Sequence, residues 1–161
     1  MKTIVLVRHG KSSWEYNVED VKRPLKTKGL EDAKRVSEFF LGSNVIPNKV
    51  FSSIAKRADD TCKVFMANEK MLNTNYEAIE DLYDFGGEKV IKFIKQLPNS
   101  LESCMIFGHN YAFTSIVNIY GDKFIENLPT CGLVKINFEI TNWSELKPGK
   151  TDLIIIPKTL R

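Results

Sequence analysis

The chain has 161 residues, 43% of them apolar and 27% charged, with 9 glycines and 6 prolines, a make-up that excludes disordered, fibrous and membrane-spanning classes and fits one domain over residues 1–161. Net charge is only +3, and the densest basic cluster, Lys22, Arg23, Lys26 and Lys28, fits a solvated surface or the attraction of an anionic substrate; no nucleic-acid partner and no membrane partner is expected. Cys62, Cys104 and Cys131 are odd in number and lack C-x-x-C spacing, which excludes a disulfide framework and a zinc knuckle and, with too short an apolar stretch before Arg8 for a signal peptide, makes a cytoplasmic location the expectation.

Ile4 to Val7 is an unbroken β-branched and leucine run, the pattern of a strand buried on both faces of a sheet. Arg8, His9 and Gly10 therefore fall just past a central strand. From Thr27, read as the cap, Leu30, Ala33, Val36, Phe40 and Leu41 recur at helical spacing until Gly42, giving an amphipathic helix. Lys49 to Ser52 forms a short strand, and a second helix from Ala55 to about Ala67 puts Ala58, Cys62, Phe65 and Met66 on one face. Glu88 to Leu97 is a third helix, closed by Pro98. Ser103 to Phe107 is the next buried strand, ending at Gly108 and His109 and followed by a helix from about Ala112 to Tyr120. Leu133 to Ile140 alternates like an antiparallel or edge strand, Lys147 to Lys150 is a turn, and Leu153 to Ile156 is a last strand.

This order predicts an α/β three-layer sandwich, a mostly parallel mixed central sheet flanked by helices and finished by antiparallel strands. Ligands of such sheets bind beyond the carboxyl ends of the strands. Three strand exits carry Arg8 with His9, Arg57 a few residues on, and His109, so four side chains are expected to meet in one crevice. Two arginines and two histidines without a matching acidic cluster suit a small dianion, phosphate first. The guanidinium fork pairs with two phosphate oxygens and stays charged. A neutral histidine can attack phosphorus, and neighbouring guanidinium charge favours that neutral form. Hydrolysis is then split into two displacements.

Three segments, VRHG, SSIAKRADDTC and FGHN, resemble the core motifs of the histidine phosphatase superfamily. The resemblance covers most of the chain and implies a phosphoglycerate mutase-like fold. It also implies that His9 is the phosphorylated nucleophile, Arg8 and Arg57 are phosphate clamps, and His109 is the second phosphate-contacting histidine. The short length and the segment VKRPLKTKGLEDA (residues 21 to 33) are similar to the SixA-like phosphohistidine phosphatases, which implies Arg23 as a rim contact. Asn110 belongs to the third motif and is carried over as a substrate contact. Ile54 after Ser53, where proline is usual, and Tyr111 after Asn110 depart from the family pattern without removing a catalytic atom. Lys11, where many mutases carry an acidic residue or glutamine, argues against mutase activity.

The general acid of many relatives is a glutamate two residues after a leucine, and here Asp84 follows Leu82 at that spacing. Asp84 is accordingly expected to be the acid, against the bland alternative of a solvated loop carboxylate. Ser12 and Ser13 either sit in a turn or offer hydroxyls to phosphate, and Trp14 and Tyr16 are expected to be packing residues. No local metal-ligand motif, no P-loop and no C-x-x-x-x-x-R signature exists, so neither metal nor cofactor is expected. The expected function is a phosphatase acting on a phosphohistidine-bearing protein, such as a phosphotransfer domain, in signal transduction. The alternatives are a phosphomonoesterase for a small phosphorylated metabolite and a non-catalytic phosphate-binding module.

Overall fold

A computed structural model describes all 161 residues. Six strands, β1 (Lys2–Arg8), β2 (Lys49–Ser53), β3 (Tyr76–Ile79), β4 (Ser103–Gly108), β5 (Leu133–Phe138) and β6 (Lys150–Ile155), form one sheet in the order β3-β2-β4-β1-β5-β6. The first four lie parallel, and β5 and β6 run antiparallel. Four helices cover the two faces: α1 (Thr27–Ser43), α2 (Lys56–Met66), α3 (Glu88–Lys95) and α4 (Ala112–Tyr120). The expected three-layer α/β architecture is the one observed. No helix is long and apolar enough to cross a membrane.

The pleat explains why Ile4 to Val7 reads as continuous. Ile4 and Leu6 enter the core shared with Val90 and Ile94 of α3 and Phe113 and Ile116 of α4. Val5 and Val7 point the other way, into the core shared with Val36 and Phe40 of α1 and Phe65 of α2. Each face of the central strand is thus buried under a different pair of helices. Register then fixes the site: Arg8 pairs with Gly108, Val7 with both Phe107 and Leu133, and Ser52 with Phe107. The carboxyl ends of β1, β2 and β4 and the entry to β5 therefore meet at one edge.

Several boundaries differ from expectation. The strand β3 went unassigned because Tyr-Glu-Ala-Ile is short, lies at the sheet edge and carries an exposed Glu77, so it lacks an apolar signature. Leu30 is exposed, and the buried face of α1 begins instead at Gly29 and continues through Ala33, Val36, Phe40 and Leu41. Lys26 rather than Thr27 occupies the cap position. The strand β5 ends at Phe138, after which a 3₁₀ turn at Trp143–Glu145 buries Trp143 and lets its indole N–H donate to the Leu101 carbonyl at 2.9 Å. The last strand starts at Lys150, within the stretch read as a turn.

Candidate active site

The loop that carries His9 is held by backbone contacts on three sides. His9 N–H donates to the Gly108 carbonyl at 3.1 Å, Arg8 N–H to Gly132 at 3.0 Å, and Cys131 N–H to the carbonyls of Arg8 and His9 at 3.1 Å each. Gly10 is needed for packing: a Cβ there would lie 2.9 Å from the Gly29 carbonyl oxygen and 3.0 Å from the Cys131 sulfur. A Cβ on Gly29 would lie closer still, 2.4 Å from the Lys11 carbonyl oxygen, so the loop and the first turn of α1 touch backbone to backbone. The Gly10 N–H donates to the Thr61 hydroxyl at 3.0 Å, and that hydroxyl donates to the Arg57 carbonyl at 2.7 Å. One threonine hydroxyl on α2 thereby joins the first motif to the second.

His9, 8% exposed, has its Nδ1 2.7 Å from the Gly10 carbonyl oxygen. A carbonyl only accepts, so the hydrogen bond assigns the proton to Nδ1 and leaves a lone pair on Nε2. Burial, then the guanidinium charges of Arg57, Arg8 and Arg23, push its pKa down to about 4, against the Gly10 hydrogen bond. His109 is fully buried, 5.3 Å from His9 between ring centroids, and its Nε2 is 2.9 Å from the Ser53 hydroxyl. Burial, then the neighbouring His9 and Arg57, push it down to about 3. The rings of Tyr83 and Phe85 pack against it at 5.4 and 4.9 Å. Both imidazoles are neutral at physiological pH.

That burial has a cost in acid. Both rings titrate below the ordinary 6.5, so between pH 6.5 and about 4 the unfolded chain binds more protons than the folded one. Stability attributable to these rings is complete above this window and is lost as pH falls through it. Each ring is expected to lower stability by about 2 kcal/mol between pH 7 and pH 5. Urea midpoints at the two pH values measure this, and a His109→Asn variant should show the smaller difference.

Arg8 Nη1 donates to the Leu128 carbonyl at 2.8 Å. Arg57, 2% exposed, donates through Nη1 to the Asp20 carbonyl at 2.7 Å and through Nη2 to the Asp20 carboxylate at 3.0 Å. Three buried side-chain nitrogens have no partner anywhere in the chain: Arg8 Nε, Arg57 Nε and His109 Nδ1. All three belong to this site. Unpaired buried polar nitrogens are rare, and the two guanidinium N–H donors among them, on side chains that line the same cleft as His9, suit an oxyanion.

Asp20 and Tyr83 are site residues that sequence reading missed. The Asp20 carboxylate accepts from Arg57, from Arg23 Nε at 3.1 Å and from the Tyr83 hydroxyl. Burial alone would raise its pKa, but the hydrogen bonds from Tyr83, Arg57 and Arg23 hold it well below the usual carboxylate range. Burial, then the bond to Asp20, raises the Tyr83 hydroxyl, which keeps its proton. The available signal was an aspartate three residues before Arg23, the spacing of a local ion pair.

Arg23 also donates to the Ser12 hydroxyl at 2.7 Å and lies 3.5 Å over the Trp14 ring. Trp14 and Tyr16 do not pack inward: they are 76% and 58% exposed, and Trp14 stands at the rim of the cleft with Phe85. The cleft, of about 500 Å³, brings together Arg8, His9, Ser12, Arg23, Arg57 and Asn110; His109 does not line it but lies wholly buried next to His9. Asn110 lines it while its amide oxygen accepts from Thr114 N–H and hydroxyl at 3.1 and 2.8 Å, fixing the start of α4.

Asp84 is not placed to act as the acid. Its carboxylate accepts N–H bonds from Gly86, Gly87, Lys89 and Val90, between 3.0 and 3.2 Å. It caps α3, which opens at Gly87 with φ of 103°. Those four contacts hold the carboxylate against the start of α3, and Asp84 does not line the cleft.

Comparison with known proteins adds a family and a fold. A model of the histidine phosphatase superfamily (branch 1) matches residues 4–102. An uncharacterized chloroplastic protein of Arabidopsis thaliana is 24% identical over 153 residues, covering 89% of this chain and 70% of that one. Among solved structures, the SixA protein of Agrobacterium tumefaciens superposes with a TM-score of 0.81 at 19% identity, over 97% of this chain and 98% of that one. The protein histidine phosphatase SixA complexed with tungstate gives 0.80 at 19% identity, over 99% of each chain.

Proposed function

Since the chain belongs to the histidine phosphatase superfamily, we propose that it hydrolyses phosphohistidine carried by a protein, through a phosphorylated His9. In the first displacement the Nε2 lone pair of His9 forms a bond to phosphorus as the substrate's P–N bond breaks. The departing pair goes to the substrate imidazole, which takes a proton from solvent. In the second, a water oxygen bonds phosphorus, the P–Nε2 bond breaks, the pair returns to His9 and the water proton is lost to solvent. Through both steps the Gly10 carbonyl keeps its hydrogen bond to Nδ1. Arg8, Arg57 and His109 offset the charge on the transferring oxygens.

The observation that carries this reading is the state of the carboxylates. Asp20 is the only acidic side chain lining the cleft, and three donors hold it ionised. An alkoxide leaving group needs a proton from a well-placed acid, whereas an imidazole with a pKa of about 6.5 is protonated by solvent and leaves neutral. A cleft without a proton donor therefore suits a phosphoramidate better than a phosphomonoester. The exposed Trp14 and Phe85 at the rim, with Arg23 stacked on Trp14, support a macromolecular substrate, because surface rich in aromatic residues and arginine is typical of a contact face. The tungstate bound by a similar fold is a tetrahedral oxyanion of the kind this receptor suits.

The test is a comparison of substrates. With a phosphorylated histidine-containing phosphotransfer domain, kcat/KM should exceed that for phosphoserine, phosphotyrosine and sugar phosphates by at least about 10-fold. Faster turnover of sugar phosphates or nucleotides would instead establish a small-molecule phosphomonoesterase. Binding without any turnover would establish a phosphate-binding module.

A further inference from the structure

The two histidines are held by partners of opposite character. The Gly10 carbonyl, on His9, can only accept, while the Ser53 hydroxyl, on His109, can donate or accept. The other contacts of Ser53 decide which it does. Its Oγ accepts the Ala55 N–H at 3.1 Å, and its one remaining hydrogen-bond partner is His109 Nε2. Both residues are wholly inaccessible to solvent. If His109 donated, two buried groups would be left over: the serine proton and the Nδ1 lone pair. If Ser53 donates, only the Nδ1–H remains, and it joins Arg8 Nε and Arg57 Nε as the third unpaired donor.

We propose that Ser53 fixes the protonation pattern of the site: by donating its hydroxyl to Nε2 it holds His109 as the Nδ1–H tautomer, so the two histidines meet the phosphoryl group as one lone pair and one N–H. Ser53 is thus a positioning residue acting through His109. Its place follows from the fold, since Ser53 ends β2 and His109 follows the end of β4, its parallel neighbour. The consequence is a neutral donor to the phosphoryl oxygens, with no need for an imidazolium. Only the catalytic part of this inference rests on the phosphoryl-transfer reading; the tautomer stands on the geometry of the free protein.

The chain has just two histidines, so a long-range ¹H–¹⁵N spectrum contains two rings, assigned with a His109→Asn variant. At pH 7 both are expected as Nδ1–H tautomers, and inorganic phosphate should shift the His109 Nδ1–H resonance. Ser53→Ala should populate the Nε2–H form of His109 and lower kcat by about 10²-fold, with KM changed much less. A wild-type spectrum with the His109 proton on Nε2 overturns the proposal, whether or not the variant folds. So does a folded Ser53→Ala variant whose tautomer and kcat are both unchanged. A wrong substrate assignment has a different signature, the expected spectrum together with no turnover of phosphohistidine.

Discussion

His9→Ala should lower turnover of a phosphohistidine protein on the order of 10⁴-fold, the loss seen when the nucleophile of a covalent mechanism is deleted while its oxyanion donors remain. The variant keeps Arg8, Arg57 and His109, none of which depends on the His9 ring for a hydrogen bond. Binding of inorganic phosphate should therefore survive, measurable as protection against thermal unfolding. The wild-type protein, quenched during turnover, should carry an acid-labile phosphate that the variant lacks. Undiminished turnover, or an equal yield of acid-labile phosphate on the variant, would remove His9 from the mechanism.

Arg57→Ala should be nearly as damaging, with kcat/KM falling on the order of 10³-fold, or about 4 kcal/mol of transition-state stabilisation. Two losses combine. One is a buried guanidinium charge lining the cleft; the other is the main cationic partner of Asp20. Without that partner the carboxylate faces the incoming dianion with only Arg23 and Tyr83 to offset it. Adding Asp20→Asn to Arg57→Ala should therefore recover part of the loss, whereas Asp20→Asn alone should weaken activity by loosening Arg57. Arg57→Lys restores a charge but no fork, and should stay at least about 10-fold below wild type. Steady-state constants for wild type, Arg57→Ala, Asp20→Asn and the double variant form a double-mutant cycle, and strict additivity would show that Asp20 and Arg57 do not act together.

Much of this site was legible in the sequence because its main residues follow buried strands. Ile4 to Val7 and Ser103 to Phe107 are apolar enough to be assigned as central strands, and Arg8, His9 and His109 are placed by counting past their ends. Arg57 follows from the same rule applied to β2. Asp20 and Tyr83 were invisible for the complementary reason. They lie in short 3₁₀ segments or beside them, at Asp20–Lys22 and Glu80–Leu82, where no periodicity fixes direction, and they meet only because both segments fold over Arg57. Asp84 shows how a family spacing misleads when local chemistry competes. An aspartate shortly before Gly87 and Glu88 is also a helix-capping signal, and the helix uses it. Trp14 was read as packing because aromatic residues usually are, yet Arg23 covers one of its faces and leaves the other to solvent.

The contact between Gly10 and Gly29 divides the molecule by how freely it can change. On one side, the loop that carries His9 is clamped against α1 with no room for a single added methyl group at Gly10 or Gly29. On the other, residues 15 to 19 are exposed and join two residues that line the cleft, Trp14 and Asp20, and the end of the segment is tied down through the contacts of Asp20 with Arg23 and Arg57. Substrate preference can therefore drift through this segment while the reacting atoms stay fixed, and exchanging it between relatives of the same fold is a route to new recognition without rebuilding the chemistry.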